Sequence, residues 1–416
     1  MVNRRRFLLS GSAAFGGSLL LKGCRGRSAA IRDPRQPILV GSLLDATGAV
    51  SAVGVQMIAA AELAIAEINA AGGLLGRPVQ LKQYDTQSDI QKYTQYAQQL
   101  VLQDNVDVLI GGITSAAREA IRPVVDKYKA LYFYTTNYEG GLCDKYTFCT
   151  GVTPSGQIDQ LLAYLSDRFQ AKTIYTLAAD YNFGQIAAKW TRFYGKKHGM
   201  EVIQEDFIPL QISDFSTSIS KIQQLKPDAI VTVIVGANQW GFFGQWAATG
   251  LQSKIPLTCL TYNHPYVNDH TSKLEWTNII VAEPFWVENP AAASQKFLNQ
   301  FRQKFGADKY PASLAATHYT AIKLWAEAVK KAGTTDRAAV TQVLESGLTY
   351  TTGPLGSVSF DKTHHIAHTI NILESTEDQA FNQVAGPFSN ISALEDQGRC
   401  DLIARPNTSE QFTPKI

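Results

Sequence analysis

Concentrated basic charge is what this chain most lacks. Its 38 Lys and Arg stand against 36 Asp and Glu, and Arg4, Arg5, Arg6 and Lys22 fall within the first 24 residues, so 34 bases face 36 acids in the remainder. A nucleic-acid backbone needs a clustered positive field, and this balance gives no support to such a partner. Cysteine is scarce: Cys24, Cys143, Cys149, Cys259 and Cys400 are the whole complement. None has His or Cys neighbours at zinc-finger spacing, so no metal centre is expected. The P-loop, the dinucleotide fingerprint and the nucleophile elbow are also missing, and no catalytic residue or cofactor is assigned.

What is present is enough for two cores: 416 residues, 45% hydrophobic and 18% charged. The first 24 residues, "MVNRRRFLLSGSAAFGGSLLLKGC", combine a basic start, a mildly apolar middle and a small residue before Cys24. They read as an export signal, too short and too polar to persist as a spanning helix. The Arg4-Arg5-Arg6-Phe7-Leu8 run resembles a twin-arginine signal, and "LKGC" resembles a lipobox with Cys24 as the lipidation site. The expectation is a periplasmic or cell-surface protein, touching the membrane by its lipid anchor only. The other four cysteines form an even set in an exported chain, where disulfides persist. Cys143 and Cys149 bracket the short stretch "CDKYTFC" and are the expected pair. Cys259 either joins Cys400 or stays a buried thiol.

After a polar tether at 25–37, apolar strands alternate with amphipathic helices. "ILVGSLL", "RPVQLKQYD", "VDVLIGG" and "ALYFYT" are strands separated by helices near 53–71, 89–102 and 115–128. The cycle restarts after "GVTPSGQ", with strands "TIYTLAA", "EVIQEDFIPL", "DAIVTVIVG" and "IPLTCL". Strands apolar throughout, alternating with helices, argue for an α/β fold of two doubly wound parallel-sheet lobes. Three successive helices beyond Pro290 cannot extend a parallel sheet, so they are expected to pack back on the first lobe after a crossover near Ala282 to Phe285. "GPLGSVSFD" and "HTINILES" read as a closing strand pair, and "NTSEQFTPKI" as a loose tail. The expected division is 38–152 with 285–353 for lobe 1, 153–284 with 354–400 for lobe 2, and 401–416 for the tail.

In open parallel sheets ligands bind at the carboxyl ends of the strands. Two such ends are informative. "LIGGITSAAREA" leaves its strand through Gly111 and Gly112 and sets Thr114 and Ser115 at a helix start, where free N–H groups face the crevice. Ser115 is either a plain N-cap or a ligand contact. The other end, "LYFYTTNYEGG", brings out Tyr134, Thr135, Thr136 and Asn137. Two neighbouring hydroxyl-bearing loops suit a small neutral polar molecule, and a carboxylate is also compatible with the Ser115 corner.

Several stretches resemble the type I periplasmic substrate-binding proteins of ABC importers: "ATGAVSAVGVQMIAAAELAIAEINAAGGLLGRPVQL", "IGGITSAAREAIRPVVDK", "YFYTTNYEGG", "ADYNFG" and "IPLQISDFSTSISKIQQLKPDAIV". The likeness runs from about Ile38 to Glu374, and "GGITSAAREAIRP" with the "YEG" of Tyr138, Glu139 and Gly140 is most similar to the urea and short-chain amide branch. It implies two lobes joined by three crossover segments that close on a solute for delivery to an importer permease. It further implies ligand contacts at Ser115, Tyr134, Thr136 and Tyr181, with others near Asn238, Tyr262 and Phe285, and Asn137 at the same strand end joins the candidate ligand residues. Thr135 and Asn137 depart from that branch, which commonly has proline at the former. Amino acid receptors of this fold tend to have an aromatic where Val53 stands and an acid near Tyr262 and Asn263. This chain has neither, which favours a ligand without a zwitterion, because a buried ammonium needs a counter-charge.

The alternatives are a branched-chain or other amino acid-binding protein of the same fold, or an amide-sensing receptor module. The export signal weighs against a cytoplasmic regulator. An enzyme reading needs a reagent, and neither Ser115 nor Thr136 has a histidine in its local sequence. His318 lies inside a helical run and is expected to be structural. His364, His365 and His368 tempt a metal assignment, but His364 and His365 would point opposite ways in an extended chain.

Overall fold

The computed structural model describes residues 36–236, 238–262, 273–378 and 380–415. The expected export signal, nearly all of the tether, Cys24 and Asn263 lie outside the described residues. The chain from Pro37 onward is one compact unit.

It opens with β1 (Ile38–Leu44), α1 (Ser51–Ala70), β2 (Val79–Asp85), α2 (Ile90–Leu102), β3 (Val108–Gly111) and α3 (Ser115–Tyr128), then β4 (Tyr132–Tyr134), β5 (Leu142–Asp144) and β6 (Thr147–Cys149). Five of these strands form a parallel sheet in the order β2-β1-β3-β4-β6. Its strands are buried on both sides, as continuous apolar runs require. α1 presents Met57, Ala60, Ala61, Ala64 and Ile68 to one face, while α2 and α3 cover the other through Ala97, Leu100, Ile121 and Val125. Asp89 caps α2 by accepting from the Gln91 and Lys92 N–H groups, and Thr114 caps α3 by accepting from Ala117.

The second lobe begins with a π-helical turn at Ser155–Asp159 that runs into α4 (Gln160–Phe169). It continues through β7 (Thr173–Ala179), α5 (Asn182–Lys197), β8 (Glu201–Ile208), α6 (Ser216–Leu225), β9 (Ala229–Val233), α7 (Asn238–Ala248), β10 (Leu257–Cys259) and β11 (Ile279–Glu283). The chain then returns to the first lobe, where Phe285 packs on Phe297 with ring centroids 5.5 Å apart. There it forms α8 (Ala292–Phe305), α9 (Ser313–Ala332), α10 (Arg337–Glu345) and the hairpin β12 (Thr349–Gly353) with β13 (Gly356–Ser359). As expected, the three helices join the core of the first lobe, Phe297, Trp325 and Leu344 among their contributions.

The carboxyl-terminal third departs from expectation. "GPLGSVSFD" and "HTINILES" do not pair with each other. The first forms β13 and packs Val358 and Phe360 into the first lobe, so that lobe's share runs past residue 353 to about Ile366. The second is β14 (His368–Ser375), which pairs antiparallel with β11 and with an unforeseen strand, β15 (Phe381–Ile391). The second sheet is therefore mixed, in the order β15-β14-β11-β10-β9-β7-β8. β15 escapes notice because it is a mostly exposed edge strand whose apolar residues are interrupted by Asn382, Gln383, Gly386 and Pro387, so no continuous or alternating apolar run marks it.

The expected loose tail is tied down over its described residues. β16 (Ser409–Gln411) pairs antiparallel with β5, and the Arg122 Nη2 donates to Ser409 Oγ at 2.9 Å. The disulfide is Cys143–Cys400, bridging 257 residues, and Cys149 and Cys259 are buried thiols. The expected Cys143–Cys149 ring fails because the two residues serve different sheets. Cys149 sits in β6 beside β4, while Cys143 in β5 faces β16. Burial pushes the Cys149 thiol up to about 12.

Three crossings join the lobes, near residues 150–154, at Pro284 and between Ile366 and His368. Gly151 lies at the first, where an added Cβ would sit 1.8 Å from the Thr136 carbonyl oxygen. Histidines cluster around this region without converging. His318 Nδ1 meets Thr135 Oγ1 at 2.9 Å, His364 Nε2 meets Glu345 Oε1 at 3.0 Å, and His365 bonds Tyr138 and the Thr363 carbonyl.

Peptide mapping without reduction should yield a Cys143–Cys400 crosslink, with Cys149 and Cys259 alkylated only after unfolding. Replacing both bridged cysteines by serine should cost about 2–4 kcal/mol of stability, since the bond closes a very long loop. His318 generates a second expectation. Burial lowers its pKa from 6.5 to about 3, so on acidification the unfolded imidazole binds a proton that the folded one refuses. Its neutral burial thus stabilises less as pH falls below 6.5. Relative to the parent, His318→Gln should gain about 2 kcal/mol between roughly pH 7.5 and pH 5, read from urea unfolding at both. A difference independent of pH would contradict this account.

Candidate functional site

The carboxyl ends of the two sheets face each other across a cavity of about 60 Å3. β3 leaves the first sheet through Gly111 and Gly112, at φ +123 and +77, conformations that L side chains rarely adopt. A Cβ on Gly111 would lie 2.4 Å from the Leu43 carbonyl oxygen, so this exit requires glycine. It delivers Ile113, Thr114 and Ser115 to the cavity wall, and β4 delivers Thr136 and Asn137 beside them. The second lobe contributes Tyr181 and Phe183 from the start of α5, Gln239 from α7, and Leu260 and Thr261 after β10. The loops also meet over the cleft: a side chain begun at Gly236 would stand 3.4 Å from the Ala49 carbonyl oxygen.

Beneath the Ser115 corner lies a buried ion pair. Arg118 Nη2 is 2.7 Å from Glu139 Oε1, both side chains fully buried, and the guanidinium stacks over the rings of Tyr138 and Tyr134 at 4.7 and 5.0 Å. Ser115 donates its hydroxyl hydrogen to Glu139 Oε2. The Glu139 carbonyl in turn accepts from Trp190 Nε1 of α5 at 2.8 Å, so one glutamate binds both lobes. The Thr136 hydroxyl donates to the Ile113 carbonyl at 2.9 Å. Both hydroxyls thus bond protein acceptors, with the Tyr134 phenol beside them, and both residues line the cavity. Donors come from the first turn of α3, where Thr114 takes the Ala117 N–H and helix geometry leaves those of Ser115 and Ala116 without an intrahelical partner.

Of the expected contacts, Ser115, Thr136, Asn137 and Tyr181 line this cavity. Burial raises the Tyr181 phenol well above its ordinary range, with Tyr134, Glu139 and Arg118 of the first lobe close enough to influence it. The other four stand elsewhere. Tyr134 lies behind the wall, its hydroxyl donating to the Ile113 carbonyl at 3.2 Å. Asn238 turns away and donates to the Pro209 carbonyl at 3.0 Å, and the next residue, Gln239, takes the inward position. Tyr262 and Phe285 line a separate, small pocket of about 20 Å3 with Glu283, Trp286, Ser313 and Phe381.

Sequence reasoning missed most of the apolar wall, Val50, Val53, Ile113, Val235 and Leu314, because residues of that kind at strand and helix ends are indistinguishable from core. It also missed Glu283, an acid closing an apolar strand just before Pro284. Burial pushes this carboxyl up to about 8, with Ser313 and Asn137 as its polar neighbours. The hydroxyl–imidazole contact of Thr135 with His318 does not reach the cavity, whose lining holds no activated nucleophile.

Residues 37–380 match the family described as periplasmic binding protein. A Leu/Ile/Val-binding protein homolog 4 of Brucella abortus (strain 2308) is 22% identical over 394 residues, covering 90% of each chain. Among solved structures, a solute binding protein of an ABC transporter from Rhodopseudomonas palustris BisB5, in complex with 3,4-dihydroxybenzoic acid, superposes with a TM-score of 0.76 at 22% identity, covering 86% of this chain and 98% of its own. A branched-chain amino acid transporter substrate binding protein from Streptococcus pneumoniae, in complex with isoleucine, gives 0.73 at 22% identity, covering 83% and 98%. At this identity the likeness establishes the fold.

Glu139→Gln preserves shape but leaves Arg118 buried without its full counter-charge. Such a break should cost about 3–5 kcal/mol, seen as a drop in unfolding midpoint in urea.

Proposed function

Because this chain belongs to the periplasmic binding protein family, we propose that it captures a small neutral solute of the amide or urea class outside the cytoplasm, closes its lobes on it, and delivers it to an ABC importer. The observation that carries this reading is the commitment of the Ser115 and Thr136 hydroxyl hydrogens to Glu139 and Ile113. An amide offers an N–H2 to the two hydroxyl oxygens and a carbonyl to the N–H groups of α3. A carboxylate at the same corner would meet oxygen lone pairs with the Glu139 carboxylate just behind them, a repulsive arrangement. The apolar wall of Val50, Val53, Leu260 and Leu314 favours a short aliphatic substituent over bare urea. Solute bonded to both lobes stabilises the closed form, which is the shape a permease can distinguish. The basic leader ending at Cys24 supports export and a lipid tether. Nothing in the cleft supplies a reagent, so the reading is of binding, not catalysis.

A second reading has its own support. The Brucella relative is named for leucine, isoleucine and valine, and Glu283 offers the buried acid that an ammonium requires.

Thermal-shift measurements with urea, formamide, acetamide, propionamide, leucine and 3,4-dihydroxybenzoate separate the two. An amide present at about a hundred times its Kd should stabilise by about 2.7 kcal/mol, with leucine and the benzoate silent. Thr136→Val should weaken amide binding by about 1–3 kcal/mol in calorimetry, with the free protein losing about 0.5–1.5 kcal/mol of stability along with its bond to the Ile113 carbonyl. Stabilisation by leucine and by none of the amides would overturn the first reading.

A further inference from the structure

We propose that residues 392–412 form a strap, a further link between the lobes that limits how far they move relative to each other. None of its anchors lines the cavity, so the proposal does not depend on which solute the cleft takes.

Beyond the three crossings, the chain passes between the lobes once more. It leaves the second sheet at Ile391, the end of β15, and finishes paired to the first lobe through β16. On the way it grips both. Asp396 is 1% exposed, and its carboxylate accepts from the Ser155 N–H at 2.8 Å, the Ser155 hydroxyl at 2.6 Å and the Tyr194 phenol at 2.9 Å, all groups of the second lobe. Thr153, at the first crossing, donates to the same carboxylate at 2.5 Å. Only four residues further on, the Cys143–Cys400 disulfide fixes the chain to the first lobe. Four residues span at most about 14 Å when fully extended, so the two anchor points cannot draw further apart than that while both hold.

The first lobe is shaped to receive this segment. Gly140 and Gly141, at φ +71 and +83, end the "YEGG" run. A Cβ on Gly140 would stand 2.9 Å from the Asp396 Cβ, and one on Gly141 would stand 1.9 Å from the Phe412 carbonyl oxygen. Close approach of the strap thus accounts for both glycines, and neither lines the cavity. Gln411 Nε2 donates to the Gly140 carbonyl at 2.6 Å, and the Phe412 N–H donates to that of Gly141 at 2.7 Å. A tail that merely covered the margin of β5 would need β16 alone. Burying a carboxylate under donors of the other lobe is costly and adds nothing to that cover. The family match ends at residue 380, ahead of the whole segment. A narrower range of lobe positions leaves less freedom to lose on closure, which favours solute capture.

The test needs no solute. Nitroxides on non-natural residues at Val55 and Leu210, exposed positions on opposite lobes, report the distance between lobes by double electron–electron resonance on the full chain. Two variants loosen the strap. Asp396→Ala removes its second-lobe anchor, and a short glycine insertion between the exposed Gly398 and Arg399 lengthens it with both anchors kept. In each, the distance distribution should broaden by several ångström relative to the parent. Melting curves certify folding, and the insertion decides alone should Asp396→Ala fail to fold. A distribution unchanged in either folded variant would overturn the proposal.

Discussion

The buried pairing of Arg118 with Glu139 is the constraint on which the rest of the molecule depends. A charge pair withdrawn from water needs its remaining donors and acceptors occupied, and Glu139 draws in Ser115 through its carboxylate and Trp190 through its carbonyl, while Arg118 Nη1 stays without a hydrogen-bond partner among the described residues. Two stacked tyrosines insulate the guanidinium. The hydroxyl that faces the cleft is thereby oriented before any solute arrives. A site whose polarity is set in advance spends little on reorganisation, and the charges that set it are buried one layer below.

Closure adds the second half of the wall. Tyr181, Gln239 and Thr261 reach the cavity only from the far lobe, and the Glu283–Ser313 pair exists only across the boundary between lobes. The three crossings lie at one edge, packed with neutral histidines and with glycine at Gly151, where no side chain fits. Family membership, fold and cavity agree on a solute-binding protein whose cavity lies between two sheets.

Much of this was legible beforehand, and the failures have physical reasons. Apolar strands alternating with helices announced two parallel sheets, and glycines before a helix start with threonines after a strand located Ser115 and Thr136. These are local signals, carried by residues within ten positions of one another. What stayed hidden is long-range or degenerate. Cys143 finds Cys400 rather than Cys149 because strand pairing outranks proximity in sequence. Asn238 and Gln239 are both amides at a helix start, and only the helix phase decides which looks inward. Glu283, twenty-one residues beyond Tyr262, lines the same pocket as that tyrosine, a proximity that no local pattern announces. β15 carries so little apolar surface that no pattern could declare it.

The pairing of β16 with β5, reinforced by Cys143–Cys400, has a consequence for biogenesis. The first lobe owns both early and late portions of the chain, while the second is assembled almost wholly from the span between them. During translation the intervening lobe can collapse as a unit once residue 391 has emerged from the ribosome, whereas the lobe begun first must wait for residue 411 to seal its margin. Its unfinished edge at β5 is left open for nearly the entire time of synthesis, which makes that stretch the natural place for a chaperone to hold the nascent protein.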